Sequence, residues 1–203
     1  MAHPRATAEF WFDPLCPWAW MTSRWLKEVE RVRDVTPSFH VMSLGYLNSD
    51  QDLLDDEQER PVDRWGPVRV CVAAASAHGE GVLDQLYTEL GTRFHNQGMV
   101  RDKTTIEQAL TAAGLPKNLA DAMESRDYDD EVIASHRKAM DLVGLDVGTP
   151  IISVEGVAFF GPVVTPIPRG EAAGKLWDGV LLVASTDGFY ELKRSRTAGP
   201  SFD

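Results

Sequence analysis

Residues 12–20 read FDPLCPWAW, and this stretch decides the fold. The aromatic run before it, AEFWFD, is typical of a buried strand that ends at Asp13. After it, apolar residues recur at steps of three and four, which predicts a helix from Pro17 to about Arg33. Proline suits the first turn of a helix, where its missing N–H costs nothing. The pattern therefore predicts that Cys16 lies where a strand passes into a helix.

The remaining patterns indicate how the sheet is completed. SFHVMSL (residues 38–44) predicts a second strand, and the chain from about residue 62 to residue 143 carries only helical patterns, with Gly79 and Gly144 predicted to end two of the helices. TPIISV and VAFFG, joined by Glu155-Gly156, predict a hairpin, and GEAAGKLWDGVLLVAS predicts a last helix. This order predicts an α/β fold with a thioredoxin-like βαβ…ββα core and an inserted all-helical domain. The predicted units are residues 7–50 and 145–203 for the two parts of the core, and residues 58–144 for the insertion.

Composition excludes several classes of function. The chain has 203 residues, and its 31 acidic against 20 basic residues give a net charge of −11, which disfavours binding to nucleic acid and to anionic membranes. No stretch has the length of a signal peptide or of a membrane span, so we expect a soluble cytoplasmic protein. Two cysteines, with no His/Cys cluster beside either, predict no disulfide framework, no metal site and no tightly bound cofactor.

The predicted position of Cys16 favours a reactive thiol. The first turn of a helix has unpaired N–H groups and the positive end of the helix dipole, which can lower the pKa of a cysteine well below about 8.5. A carboxylate close to the sulfur would raise that pKa, so we expect the Asp13 side chain to point away or to hydrogen-bond locally. The alternative is that Cys16 is only a small apolar residue at the end of a strand.

A second signal lies far downstream, in VGTPIISV. It places Thr149-Pro150 just before a strand. Proline is uncommon there because it cannot donate a hydrogen bond to the ladder of a sheet, so its presence suggests a structural role. A cis peptide bond between Thr149 and Pro150 would be such a role. In thioredoxin-like folds such a proline packs beside the active-site cysteine, and the backbone before it pairs with a bound thiol. The alternative is an ordinary trans proline, but together with Cys16 the pattern favours a thioredoxin-like site.

Ala19 stands where a second cysteine would complete a Cys-x-x-Cys motif. In that motif the second thiol resolves the mixed disulfide formed by the first. The site as written (Cys16, Pro17, Trp18 and Ala19) is monothiol, and an outside thiol has to release what Cys16 captures. Cys71 lies in an apolar helical run and is interpreted as a buried residue rather than a resolving one. Two origins of the alanine stay open: it is natural, or it replaces a cysteine.

Motifs along nearly the whole chain carry a resemblance to a known family. They include FWFDPLCPW, FHVMSL, WGPVRV, HNQG, DVGTP, GVAFFGP, IPRGEAAGKLWD and FYELKRSR. In these motifs the sequence resembles the DsbA-like thioredoxin-fold proteins and, within them, the mycothiol-dependent nitroreductase group of mycothiol-using bacteria. Members of that group typically read Cys-Pro-Trp-Cys, and Ala19 is the departure. The resemblance implies a cytoplasmic reductase that draws electrons from mycothiol, with turnover through an internal disulfide in doubt.

The resemblance also implies roles for individual residues. It implies Cys16 as the nucleophile, Trp18 as part of the site wall, Pro150 as the cis-proline and Thr149 as the backbone partner of a bound thiol. A loop of the helical insertion is expected to cover the site and to help form the substrate pocket through His95, Asn96 and Gln97.

Two of the pocket candidates also have a structural interpretation. His95 follows the end of a predicted helix, where a solvated loop histidine is the alternative. Phe160 ends a predicted strand, and its ring either lines the cleft or only closes the sheet. The aromatic residues of the chain permit a homodimer without requiring one.

Three functions stay open. The first, which we favour because the motifs outside residue 19 match so extensively, is mycothiol-dependent reduction of a disulfide or a nitroaromatic small molecule through one cysteine, with mycothiol and a mycoredoxin as partners. The second is a thiol-dependent isomerase or transferase of the kappa-class glutathione transferase or hydroxychromene-carboxylate isomerase type, which holds a thiol without cycling a disulfide. The third is a binding protein that kept only the cleft.

Overall fold

The computed structural model describes residues 5–49 and 64–202. Its sheet has four strands in the order β2-β1-β3-β4, in which β1 and β2 are parallel and the other two pairs are antiparallel. The strands are β1 (Ala6–Phe12), β2 (Val35–Val41), β3 (Ile151–Val154) and β4 (Val157–Phe160). The predicted α/β fold with a thioredoxin-like core is confirmed. The predicted boundary between residues 50 and 58 lies outside the described residues, and the division into units stays a prediction.

Helices surround the sheet and fill the described chain between β2 and β3. They are α1 (Pro17–Val29), α2 (Leu44–Leu47), α3 (Gly66–His78), α4 (Leu83–Gly91), α5 (Lys103–Ala112), α6 (Asp129–Val143) and α7 (Gly170–Ala184). Glycines end two of them as the sequence predicts: Gly79 has φ 87° and Gly144 has φ 88°, a region that suits a residue without Cβ. Between α4 and α5, one π-helical turn spans Thr92–Asn96.

The first helix is shorter than predicted. It ends at Val29 rather than at Arg33, because the backbone tightens there: the Arg31 N–H donates to the Glu28 carbonyl at 3.2 Å, three residues back. The chain then turns into β2, and the Arg33 guanidinium pairs with two carboxylates of α7. The apolar pattern past Val29 is therefore not a continuation of the helix.

The predicted hairpin of β3 and β4 is confirmed and brings its far end to the active-site helix. Glu155 and Gly156 have φ of 50° and 83°, the pair of positive values that a two-residue hairpin turn needs. At the other end of the hairpin, the Gly161 N–H donates to the Pro150 carbonyl at 2.9 Å. Thr22 of α1 donates its hydroxyl to the Pro162 carbonyl at 2.7 Å, which ties the end of the hairpin to α1.

Side chains of β1 alternate between two apolar clusters, one on each face of the sheet. Phe10 and Phe12 belong to the larger cluster, where Phe12 stacks on Tyr87 of α4 with ring centroids 3.8 Å apart. Trp11 points to the opposite face and packs with residues of α6. In the described part of the chain, no helix has the length and apolar character needed to cross a membrane.

Candidate active site

Cys16 occupies the predicted place between β1 and α1. It is the N-cap residue of α1, and its Sγ accepts a hydrogen bond from the Ala19 N–H at 3.4 Å. The Cys16 N–H donates to the Asp13 carbonyl at 3.0 Å, which fixes the short turn between the strand and the helix. The strand, the turn and the proline at the first helical position thus present the thiol to the open N–H groups of the helix.

Thr149 and Pro150 lie next to this thiol. Their peptide bond is cis, as the sequence predicts. The Cys16 thiol donates to the Thr149 carbonyl at 3.5 Å across 133 residues of sequence, and the Thr149 hydroxyl donates to the Trp11 carbonyl at 2.9 Å. The fold therefore brings together the two sequence signals that predicted a thioredoxin-like site.

Protonation of Cys16 differs from the expectation. The pKa of its thiol is raised from 9.0 to about 11, chiefly by burial and also by the carboxylate of Asp13, against hydrogen bonds from the Ala19 and Trp18 backbone that lower it. The side chain is only 6% exposed, so desolvation of the thiolate outweighs the N–H groups of the helix. The predicted lowering of the pKa is wrong for the site as it stands closed.

Asp13 hydrogen-bonds locally, as expected. Its two carboxylate oxygens accept the N–H groups of Leu15 and Leu44, each at 2.8 Å, so the side chain joins the turn before Cys16 to the start of α2. The carboxyl group is 1% exposed, and burial raises its pKa to about 6 in spite of these two bonds. Asp13 holds the turn in place, and its carboxylate adds to the effect of burial in raising the pKa of the thiol.

The other positions of the motif have different surroundings. Ala19 is fully buried, whereas Trp18 is half-buried and has the Arg196 guanidinium over its ring, 5.2 Å from the centroid. Cys71 is fully buried in α3, and burial raises the pKa of its thiol. A thiol without access to solvent, and with a raised pKa, is unsuited to resolve a mixed disulfide on Cys16.

The π-helical turn brings two of the predicted pocket residues to the active-site turn. His95 is buried at 7% exposure rather than solvated, and its Nε2 donates to the Pro14 carbonyl at 2.9 Å. Burial lowers the pKa of His95 to about 4, so the ring is neutral near pH 7. Asn96 accepts the Trp20 indole N–H at 2.9 Å. The interpretation of His95 as a solvated loop residue is wrong, because the turn closes onto the core.

The other two pocket candidates are exposed. Gln97 follows the π-helical turn at the surface. Phe160 is 42% exposed and pairs with Ile151 at the end of β4, one residue before the backbone bond from Gly161 to Pro150. Phe160 therefore lies at the edge of the sheet near the cis-proline, and its role in substrate binding stays a prediction.

The sequence patterns missed the residues after α7. The chain from residue 186 to residue 202 has no helix or strand, yet it returns to the site: the Asn96 amide donates to the Phe202 carbonyl at 2.7 Å, and the Phe202 ring lies 5.6 Å from the His95 ring. A segment with no periodicity gives no signal of where it docks.

Across residues 5–49 and 64–202, no group of three His, Cys, Asp or Glu residues could hold a metal ion.

A comparison with protein families identifies the family of this chain. Residues 15–194 match the Rv2466c-like family, described as mycothiol-dependent nitroreductase Rv2466c. The chain belongs to this family. The match begins one residue before Cys16 and includes the Thr149-Pro150 bond, so both parts of the site lie inside it. Among curated proteins, the chain is 29% identical over 198 residues to uncharacterized protein Rv2286c of Mycobacterium tuberculosis, which covers 94% of this chain and 83% of that protein.

Solved structures show the same fold at low identity. Cytosolic disulfide reductase DsbM from Pseudomonas aeruginosa with GSH is 16% identical with a TM-score of 0.58, over 87% of this chain and 99% of that one. The probable DsbA oxidoreductase SCO1869 from Streptomyces coelicolor is 16% identical with a TM-score of 0.57, over 95% and 94% of the two chains. The chain is therefore a DsbA-like thioredoxin-fold member of a family of thiol oxidoreductases.

Proposed function

We propose that this protein reduces disulfide or nitroaromatic substrates at the expense of mycothiol, and that Cys16 is its single redox-active residue. Membership in a mycothiol-dependent family supports mycothiol as the co-substrate. The observation that carries the single-cysteine route is the buried Ala19 at the position of a resolving cysteine, with Cys71 closed off inside α3. A cytoplasmic location, where mycothiol is available to a reductase, belongs to the same proposal.

With a disulfide substrate the route has three thiol–disulfide exchanges. The Cys16 thiolate attacks one sulfur of the substrate, which forms a mixed disulfide and releases the first substrate thiol. A mycothiol thiolate then attacks Sγ of Cys16, displaces the second substrate thiol and leaves a disulfide between Cys16 and mycothiol. A second mycothiol, or a mycoredoxin in its place, attacks the mycothiol sulfur and returns Cys16 as a thiol. Two electrons pass from two thiols to one disulfide.

The surroundings of Cys16 support these roles. The Ala19 N–H donates to Sγ and would continue to do so in the thiolate, which favours the charged form when the thiol reacts. The Thr149 carbonyl accepts the thiol proton in the resting site, so it marks the side from which a bound thiol would pair with the backbone. Trp18, half-buried beside the helix start, would offer an aromatic face to a small ligand that takes the place of the Arg196 guanidinium over its ring.

Intact mass after treatment with mycothiol disulfide tests the covalent step. We expect one mycothiol adduct that maps to Cys16, and none in the Cys16→Ser variant. Cys71→Ser is the matched control and should still form the adduct, because Cys71 is buried. Absence of an adduct on the unmodified chain would contradict the proposal.

The Ala19→Cys variant tests the missing internal step. Position 19 is one helical turn from Cys16 in the N-cap geometry of α1, so a thiol there lies where a resolving cysteine acts. We expect the variant to form an internal disulfide and to reduce substrate with mycothiol faster than the present chain. Equal rates would mean that the monothiol route is already complete, and Ala19→Ser controls for the added polar atom.

A second candidate, a thiol-dependent isomerase or transferase, is favoured by the protonated state of Cys16. With its thiol pKa raised to about 11, the side chain near pH 7 is a hydrogen-bond donor rather than a nucleophile, which suits a site that holds a thiol cofactor without forming a disulfide. Turnover without net oxidation of mycothiol, together with no adduct on Cys16, would decide for this function.

A further inference from the structure

Residues 196–202 cross the active-site face and touch three separate segments around Cys16. The Arg196 guanidinium lies over the Trp18 ring, 5.2 Å from its centroid, at the start of α1. Thr165, in the loop between β4 and α7, donates its hydroxyl to the Gly199 carbonyl at 3.3 Å and accepts the Ser201 N–H at 3.2 Å. At the far end of this segment, Phe202 lies against the π-helical turn.

The contacts of Phe202 are made with residues that themselves hold the active-site turn. The Asn96 amide donates to the Phe202 carbonyl at 2.7 Å, while the Asn96 side-chain oxygen accepts the Trp20 indole N–H. The Phe202 ring packs against His95, whose Nε2 donates to the Pro14 carbonyl. One end of the segment is thus held at Trp18, two residues after Cys16. The other end is held at His95, which binds the carbonyl of Pro14, two residues before Cys16.

A closed thiol has to be opened before it can react with another molecule. Cys16 is 6% exposed, and its pKa is raised by burial, so neither a disulfide nor an alkylating reagent meets a free thiolate in this state. Residues 196–199 are exposed and residues 200–202 are half-buried, which is typical of a segment that opens locally at small cost in free energy. These contacts can be given up without unfolding a helix or a strand, because residues 196–202 belong to neither.

We propose that residues 196–202 form a strap that closes the entrance to Cys16, and that its release determines which molecules reach the thiol. Arg196 on Trp18 and Phe202 on His95 are its two anchors. When the strap is released, Trp18 and the His95–Asn96 turn become available to a ligand, and water reaches Cys16. A large substrate requires full release of both anchors, whereas a small reagent requires less, so the strap discriminates by size. The inference does not depend on the proposed function, because it concerns access of any electrophile to the thiol.

Alkylation of this chain at one pH tests the strap. Rates at Cys16 are measured by peptide-level mass spectrometry with iodoacetamide and with the larger neutral reagent N-(1-pyrenyl)iodoacetamide. Arg196→Gln is expected to raise the rate about two- to fivefold, the population shift that loss of one exposed cation–π contact produces. Arg196→Gln combined with Phe202→Ala is expected to raise it at least about tenfold, with the larger increase for the pyrenyl reagent.

The controls separate release of the strap from other effects. Lys193→Gln removes a charge from the exposed chain just before the strap and should leave both rates unchanged. Cys71, fully buried in α3, should stay unmodified in every variant, which shows that the core is intact. Unchanged or lower rates in Arg196→Gln would overturn the proposal, since this residue is exposed and its replacement does not threaten the fold. An equal acceleration of both reagents would overturn the size discrimination.

Discussion

The raised pKa of Cys16 makes a quantitative prediction about its reactivity. With a thiol pKa of about 11 in the native chain and 9.0 for a free cysteine, the thiolate fraction at pH 8 differs about a hundredfold between the native and the unfolded chain. Because the thiolate is the reacting form, Cys16 should be alkylated by iodoacetamide at least about a hundredfold faster in urea than in buffer at that pH. The native rate should rise about tenfold for each pH unit up to about pH 11, whereas the unfolded rate should level off above about pH 9.

The dependence of the alkylation rate on pH shows which effect on the Cys16 thiolate is larger: desolvation, which raises the pKa, or the N–H groups and dipole of α1, which lower it. If the native rate reaches a plateau at or below pH 9, the N–H groups and dipole of α1 outweigh desolvation, and the reasoning is refuted. Peptide-level detection keeps Cys16 separate from Cys71, which serves as the buried reference.

The same shift in pKa links stability to pH. A thiol whose pKa is higher in the folded chain favours folding while both states are protonated, and this contribution is fully present below about pH 9. Between about pH 9 and pH 11 the unfolded chain ionises first, and about 3 kcal/mol of stability is lost with rising pH, as follows from a shift of about two pKa units. Cys16→Ser does not titrate in this range, so urea unfolding of the two proteins should converge in free energy as the pH rises.

Three further predictions concern the packing that positions the site. Gly91→Ala would place a Cβ 2.1 Å from Cε3 of the buried Trp20 ring, so the free energy of unfolding should fall by about 1–3 kcal/mol in urea titration; Gly81→Ala, in open space, is the control. Trp20→Phe removes the indole donor to Asn96 and part of a buried ring, so it should cost at least about 1 kcal/mol in the same assay, and an unchanged free energy of unfolding would contradict this. Arg69→Met takes the two-pronged, largely buried partner from Asp129 and leaves it only the exposed Arg126, so a fall of about 1.5–3 kcal/mol in stability is expected; a fall below about 1 kcal/mol would contradict it.

Local patterns were sufficient for most of the fold. The aromatic run before Asp13, the helical spacing after Pro17 and the glycines after α3 and α6 each depend on residues within a few positions of one another, so the elements they predict are found. The same logic fails at the end of α1: the apolar spacing continues past Val29, but the backbone leaves the helix to begin β2. Spacing reports which face a residue would take in a helix, and it carries no information on where the chain has to turn.

At the candidate site too, some features follow from local sequence and others only from the tertiary structure. By itself the sequence determined that a cysteine stands at the start of a helix, that Thr149-Pro150 opens a strand, and that position 19 has no thiol. Only the tertiary structure decided that Cys16 is buried and protonated, that His95 closes onto the Pro14 carbonyl, and that Phe202 returns to the π-helical turn. The physical reason is that desolvation depends on which atoms surround a group, and here those atoms come from residues about 80 to 130 positions away in the chain.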